Sequence, residues 1–136
     1  MLVYSIRSFF LLQIYLGKLM TILLKRAYEP FTPIDGFRIL VDRLWPRGVS
    51  KHLAHIDLWL KDMAPSTPLR KWFNHDPLKW IEFRDRYFLE LCHNTEVVEQ
   101  LVGHVRHDAV VTLVYGAKDV ERNHAVVIKE YLENMK

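Results

Sequence analysis

Residues 109–115 read Ala-Val-Val-Thr-Leu-Val-Tyr, with Asp108 before them and Gly116 after. The run is β-branched and carries no charge, and it has no polar alternate positions to turn toward water. A strand of that kind is buried on both faces, which is the mark of a parallel sheet covered by helices. Half of the 136 residues are hydrophobic and 26% are charged, the balance of a folded globular chain of single-domain length. Disordered, collagenous and low-complexity classes are excluded. Cys92 is the single cysteine, so no disulfide framework forms within one chain, no Cys/His zinc set exists, and a reducing, cytoplasmic setting is expected.

Shorter signals surround that strand. Thr21 to Tyr28 and Phe37 to Arg43 read as strands, separated by the Pro/Gly/Asp loop Glu29 to Gly36. Leu44 to Lys51 is a loop punctuated by Pro46 and Gly48, and Ser50 caps a short helix through Leu53 and Ala54. Ile56 to Leu60 alternates as a third strand, and Lys61 to Pro68 is a further loop. Thr67-Pro68 and Asp76-Pro77 are two helix-start signatures. The second opens a helix from Pro77 to His93, with Ile81, Phe88, Leu91 and Cys92, and Trp80, Phe83 and Tyr87 beside them, expected to form a wide buried face. A helix from Asn94 or Thr95 carries Val97, Val98, Leu101, Val102 and Val105 at helical spacing. The last helix lies near Asn123 to Asn134. These elements predict a single three-layer α/β domain with a small, mostly parallel central sheet flanked by helices. The loop between the first two strands is too short for a full crossover helix, so antiparallel pairing or irregular entry of those strands is expected, with strand order open.

Residues 1–19 are apolar and aromatic without a clean helical stripe. Their uncharged run, Ser8 to Gly17, is too short to span a bilayer, and no A-x-A-like site marks a secretory signal. An interfacial membrane helix would have only Arg7 and Lys18 to support it. Met20 directly precedes the first strand, and Leu16-Gly17-Lys18 can be encoded by purine-rich codons resembling a ribosome-binding site. The expectation is that Met20 is the true start, that residues 1–19 are a non-native or disordered extension, and that 20–136 form one domain without stable membrane insertion.

Charge narrows the partners. Residues 1–54 hold eight Lys/Arg against three Asp/Glu, and residues 55–136 hold eleven against thirteen. Without residues 1–19 the net charge is only +1, weak for a chain whose affinity would come from phosphate neutralisation. A nucleic-acid-binding module therefore ranks below a small anionic ligand.

In an open α/β sheet, ligands bind outside the carboxyl ends of the strands. Three loops that follow strands carry functional residue types. The first holds Arg43, Trp45, Arg47 and Lys51. The second holds Lys61 and Ser66, with Arg70 just beyond. The third holds Lys118, Asp119, Asn123 and His124. If the strands run parallel, these loops meet at one edge. Arg43, Arg47, Lys61, Arg70 and Asn123 are then the candidate anion-binding residues, Trp45 and Tyr115 the candidate stacking or rim residues, and His124 and Asp119 the candidate acid and base. Each has a plainer alternative. Arg43 and Arg47 would serve equally in pairs with Asp42, Asp57 or Asp62, Trp45 in packing, Asp119 as a cap. His75-Asp76 and His107-Asp108 sit at helix boundaries, where Asp is a cap, so neither a metal site nor a cofactor is expected. Cys92 is expected to be buried and inert.

The string Asp35-Gly36-Phe37-Arg38-Ile39-Leu40-Val41-Asp42-Arg43-Leu44-Trp45-Pro46-Arg47-Gly48 resembles the signature of the "domain of unknown function 488" family, in its short YeaO-like branch. Asp57 to Asp62, Ala64-Pro65-Ser66, Leu69 to Phe73, His75-Asp76-Pro77, Val111 to Tyr115 and Asn123-His124-Ala125 extend the resemblance, which runs from about Met20 to Leu132. It implies a small bacterial or archaeal cytoplasmic α/β protein and assigns no activity. A longer branch has cysteines where this chain has Tyr115 and Asn123, so thiol or metal chemistry built on them is not implied here. The arginine after the Val-Asp strand, here Arg43, and the histidine at the last helix start, here His124, are shared by both branches. Three functions compete: an anion-binding α/β protein, enzymatic in its stronger form; a nucleic-acid-binding module; and a non-catalytic homodimeric interaction protein.

Overall fold

A computed structural model describes residues 21–135; the expectation for residues 1–19 and for Met20 as the start lies outside them. Four strands form one sheet: β1 (Thr21–Arg26), β2 (Phe37–Leu40), β3 (Leu58–Trp59) and β4 (Val110–Tyr115). Five α-helices accompany them: α1 (Lys51–Ala54), α2 (Thr67–Phe73), α3 (Trp80–His93), α4 (Thr95–His107) and α5 (His124–Glu133). The sheet order is β1-β4-β2-β3 and every pairing is parallel.

The first two strands therefore neither pair with each other nor run antiparallel. β4 lies between them, with Leu24 opposite Leu113 on one side and Ile39 opposite Leu113 on the other. A 3-10 turn at Pro33–Asp35 carries the chain across. Gly36 makes that passage, at φ 64°, and a Cβ there would sit 2.2 Å from the Val110 carbonyl oxygen, so only glycine fits.

The central strand is buried on both faces, as its uninterrupted apolar run requires. On one face Val111, Leu113 and Tyr115 join Ile39 and Val41 beneath α2–α5, in a core that includes Met63, Phe83, Tyr87, Leu91, Leu101 and Ile128. On the other, Val114, Leu40 and Ala27 pack against Trp45, Val49, Ile56 and Trp59. That layer is thin: it is the loop after β2 and the four-residue α1. Beside it the second face is polar. Arg38, 1% exposed, donates from Nη1 to Asp35 Oδ2 at 2.6 Å and from Nε and Nη2 to the Ala54 carbonyl. Lys25 reaches the same carboxylate at 3.1 Å, and Thr112 donates its hydroxyl to the Asp35 carbonyl. The buried ions are thus paired and hydrogen-bonded, the condition under which burial is tolerable.

Three helix details differ from the sequence expectation. Ser66, not Thr67, is the N-cap of α2, accepting from the Leu69 N–H. Pro77–Lys79 forms a separate 3-10 turn before α3. The inner line of α3 is Phe83, Tyr87 and Leu91, at i, i+4 and i+8, whereas Ile81 and Cys92 are exposed. Tyr87 can take the inner place because its hydroxyl finds a buried acceptor, the Met63 carbonyl.

Candidate functional site

Because β2, β3 and β4 run the same way, the chain leaves all three at one edge of the sheet. A cleft of about 280 Å³ opens there. From the end of β2 come Asp42, Arg43 and Leu44; from the loop after β3, Ala64 and Pro65; from the end of β4, Gly116 and Ala117. Arg70 of α2, His75 and Arg122 add charge or titratable nitrogen at the lining, and Asn123 and His124 bring the start of α5. Phe73 and Phe83, stacked with centroids 4.1 Å apart, supply the apolar floor.

Asp42 organises the polar end. Its Oδ2 accepts the Gly116 N–H at 2.9 Å, and its Oδ1 lies 2.8 Å from His124 Nε2. The second contact is close but off the direction of a hydrogen bond, so Asp42 Oδ1 and His124 Nε2 are both buried atoms without a hydrogen-bond partner among the described residues. Arg43 Nε is a third. The outer end of Arg43 lies 3.8 Å from Asp62, an open contact whose carboxylate is 78% exposed and which solvent screens heavily. Gly116 is required by the same packing, since a Cβ would stand 2.8 Å from Asp42 Oδ2. Asn123 caps α5, accepting the Val126 N–H at 3.1 Å while its amide donates to the Asp119 carbonyl. His124 is thereby fixed in the first helical turn, where free backbone N–H groups and the helix dipole favour negative charge.

Of the residues singled out from sequence, Arg43, Arg70, Asn123 and His124 line this cleft. The others lie elsewhere. Trp45 packs edge-on against Trp59 on the opposite face and donates its indole N–H to the Val49 carbonyl. Tyr115 is 3% exposed within the main core, and burial raises its phenol above the usual range. Lys61 extends over the Trp59 ring, 4.1 Å from its centroid. Arg47 is exposed, and its carbonyl accepts the Tyr28 hydroxyl. Asp119 accepts the N–H groups of Glu121 and Arg122 and pairs with the Arg122 guanidinium; those N–H bonds first, and the guanidinium after them, hold its carboxyl below the usual range. Ser66 donates to Glu90 Oε2 at 2.5 Å. Sequence reasoning treated Asp42 only as a counter-ion for arginine and passed over Gly116 and Arg122. The available signal was positional: Asp42 and Gly116 each directly follow a buried strand stretch.

Fold and edge together define a small α/β protein with a basic, partly apolar cleft at the carboxyl ends of a parallel sheet. Residues 21–136 match the family described as "Inactive DUF488-N3 subclade", and the chain belongs to that family. It is 40% identical over 116 residues to the uncharacterized protein YeaO of Escherichia coli (strain K12), covering 85% of this chain and 100% of that one. It is 41% identical over 109 residues to the uncharacterized proteins Mb3100c of Mycobacterium bovis and Rv3073c of Mycobacterium tuberculosis (strain H37Rv), covering 79% of this chain and 89% of each. No solved structure matches it. Among the described residues no helix is long and apolar enough to cross a membrane, and no three His, Cys, Asp or Glu side chains gather as a metal set.

Proposed function

We propose that the cleft binds a small anionic metabolite, with Arg43, Arg70 and Arg122 meeting the negative group and the start of α5 facing it. The observation that carries this reading is that three arginines and the start of α5 line one cavity whose single lining carboxylate, Asp42, is engaged by Gly116 and His124. Guanidinium groups suit phosphate and carboxylate because their planar donor forks match both geometries.

Binding without turnover is the reading we favour. The family description carries the word inactive, and the Ser66 hydroxyl of the loop after β3 is committed to Glu90. His124, held beside Asp42, is the cleft group placed to shift a proton; Asp119 is occupied by its own loop. A nucleic-acid role draws less support, since Trp45 is engaged in packing.

The test is thermal denaturation of the full chain with inorganic phosphate, pyrophosphate and simple carboxylates. At least one should raise the melting temperature, and Arg43→Ala and His124→Ala should each remove the gain while leaving a cooperative transition. The proposal fails if every such anion leaves the transition where it was, or if both variants retain the full shift.

A further inference from the structure

The cleft is apolar at its base and charged at its rim. Most of its surface is carbon: Phe73 and Phe83 lie beneath, with Leu44, Ala64, Pro65 and Ala117 around them. The two rings are buried, whereas Arg43 and Arg122 keep 35% and 42% of their side-chain surface open to solvent and Arg70 is exposed. The cations therefore stand outward of the rings. The one lining carboxylate is turned to its own neighbours. Asp42 Oδ1 lies 2.8 Å from His124 Nε2, Oδ2 holds the Gly116 N–H, and Oδ1 and the Nε2 it faces are both shut off from solvent. Ligand contacts are left to the arginines and the apolar base.

Size points the same way. The volume of about 280 Å³ falls at the small end of ligand pockets and equals the share of roughly nine water molecules in the liquid, at about 30 Å³ each. Inorganic phosphate held at the arginines leaves much of that space to water. The apolar base then stays wet, and the hydrophobic gain of covering it is forgone. A ligand whose acid group carries a compact apolar body covers the base and meets the rim at once.

We infer that the cleft takes an amphipathic acid: a ring-sized apolar body seated over Phe73 and Phe83, with its carboxylate or phosphate turned outward to Arg43, Arg70 and Arg122. This rests on the anion-binding reading above and adds to it the body and the direction in which the ligand lies.

Isothermal titration calorimetry on the full chain tests it with matched probes: inorganic phosphate against phenyl phosphate, and acetate against phenylacetate. In each pair that binds, the ring-bearing member should bind about tenfold more tightly, the order that burying a ring of phenylalanine size supplies, and with a more negative heat-capacity change. Leu44→Ser removes an exposed apolar wall of the cleft and leaves the core alone. It should lower the ring advantage about threefold and leave phosphate binding unchanged. If this variant does not fold, the wild-type pairs decide alone. A ring advantage under about twofold in a pair that binds overturns the inference, as does one that survives undiminished in folded Leu44→Ser. Phosphate or acetate binding that Arg70→Ala weakens, with no gain from the ring, would sink this inference and leave the anion site standing. No binding by any probe, inorganic phosphate included, would sink both.

Discussion

Asp42 Oδ2 accepts the backbone N–H of Gly116 at 2.9 Å, a bond that ties the end of β2 to the end of β4 across 74 positions of sequence. The cleft exists because those two strand ends are held in register. A methyl group at residue 116 would stand 2.8 Å from the same oxygen. Gly116→Ala should therefore displace Asp42 and destabilise the fold by about 1–3 kcal/mol, the range for forcing atoms into a packed site. Urea denaturation reads the cost, and loss of anion-induced stabilisation reads the displacement.

Asp35 sets an acid limit on stability. Burial pushes its carboxyl up, but the Thr32 hydroxyl and N–H, followed by the Lys25 ammonium, outweigh burial and hold it below its ordinary value. A carboxyl lowered on folding contributes stability that is present above its unfolded value, about 3.9, and is lost as pH falls through the folded one. Asp35→Asn should cost about 3–5 kcal/mol at neutral pH, because Arg38 would be left as a buried charge with its partner removed. The gap between wild type and variant should begin to narrow below the unfolded value, about pH 3.9, and close only as pH falls through the lower folded one; a gap that does not narrow on acidification below that point would contradict this account.

Tyr87 offers a cleaner hydrogen-bond test. Its ring is in the core, its hydroxyl donates to the Met63 carbonyl, and burial first of all holds the phenol well above its usual pKa. Tyr87→Phe keeps the packing and strands a buried carbonyl. We expect a loss of about 1–2 kcal/mol in chemical denaturation, with the phenol staying neutral in spectrophotometric titration until the chain unfolds.

The Arg84–Glu130 pair joins α3 to α5, with Arg84 Nε 2.8 Å from Glu130 Oε2. The guanidinium's hydrogen bond holds Glu130 below its usual range despite partial burial. Both side chains are about one-third exposed, so screening limits the value. Glu130→Gln should cost no more than about 1 kcal/mol, present above pH about 4.3, where the unfolded carboxylate ionises, and fading as pH falls through the lower folded value. Raising salt should shrink the difference.

How much of this was readable beforehand depended on whether each feature was local. Ala109 to Tyr115 announced a central parallel strand because burial on both faces leaves no polar alternate. Arg43, Arg70, Asn123 and His124 could be placed at one edge because parallel strands deliver their following loops to the same end. The insertion of β4 between β1 and β2 was hidden, since pairing partners some 75 to 90 residues apart leave no periodic signal in either segment. Trp45 and Lys61 escaped for a different reason: a loop side chain's direction follows from its turn, and both side chains turn back to the Trp59 ring, on the second face of the sheet. Cys92 was misjudged because the expected buried face was too wide: α3 turns Phe83, Tyr87 and Leu91 inward, which leaves Ile81 and Cys92 on its exposed side.

The place of β4 also has a consequence for synthesis on the ribosome. β1 and β2 emerge early, yet the strand that joins them is the last of the four, and among the described residues β1 has no other neighbour. A nascent chain that stops short of Tyr115 carries two separated strands with the slot between them empty. Sheet closure therefore waits until β4 has been made, and truncation before Val110 should leave the amino-terminal half without its scaffold.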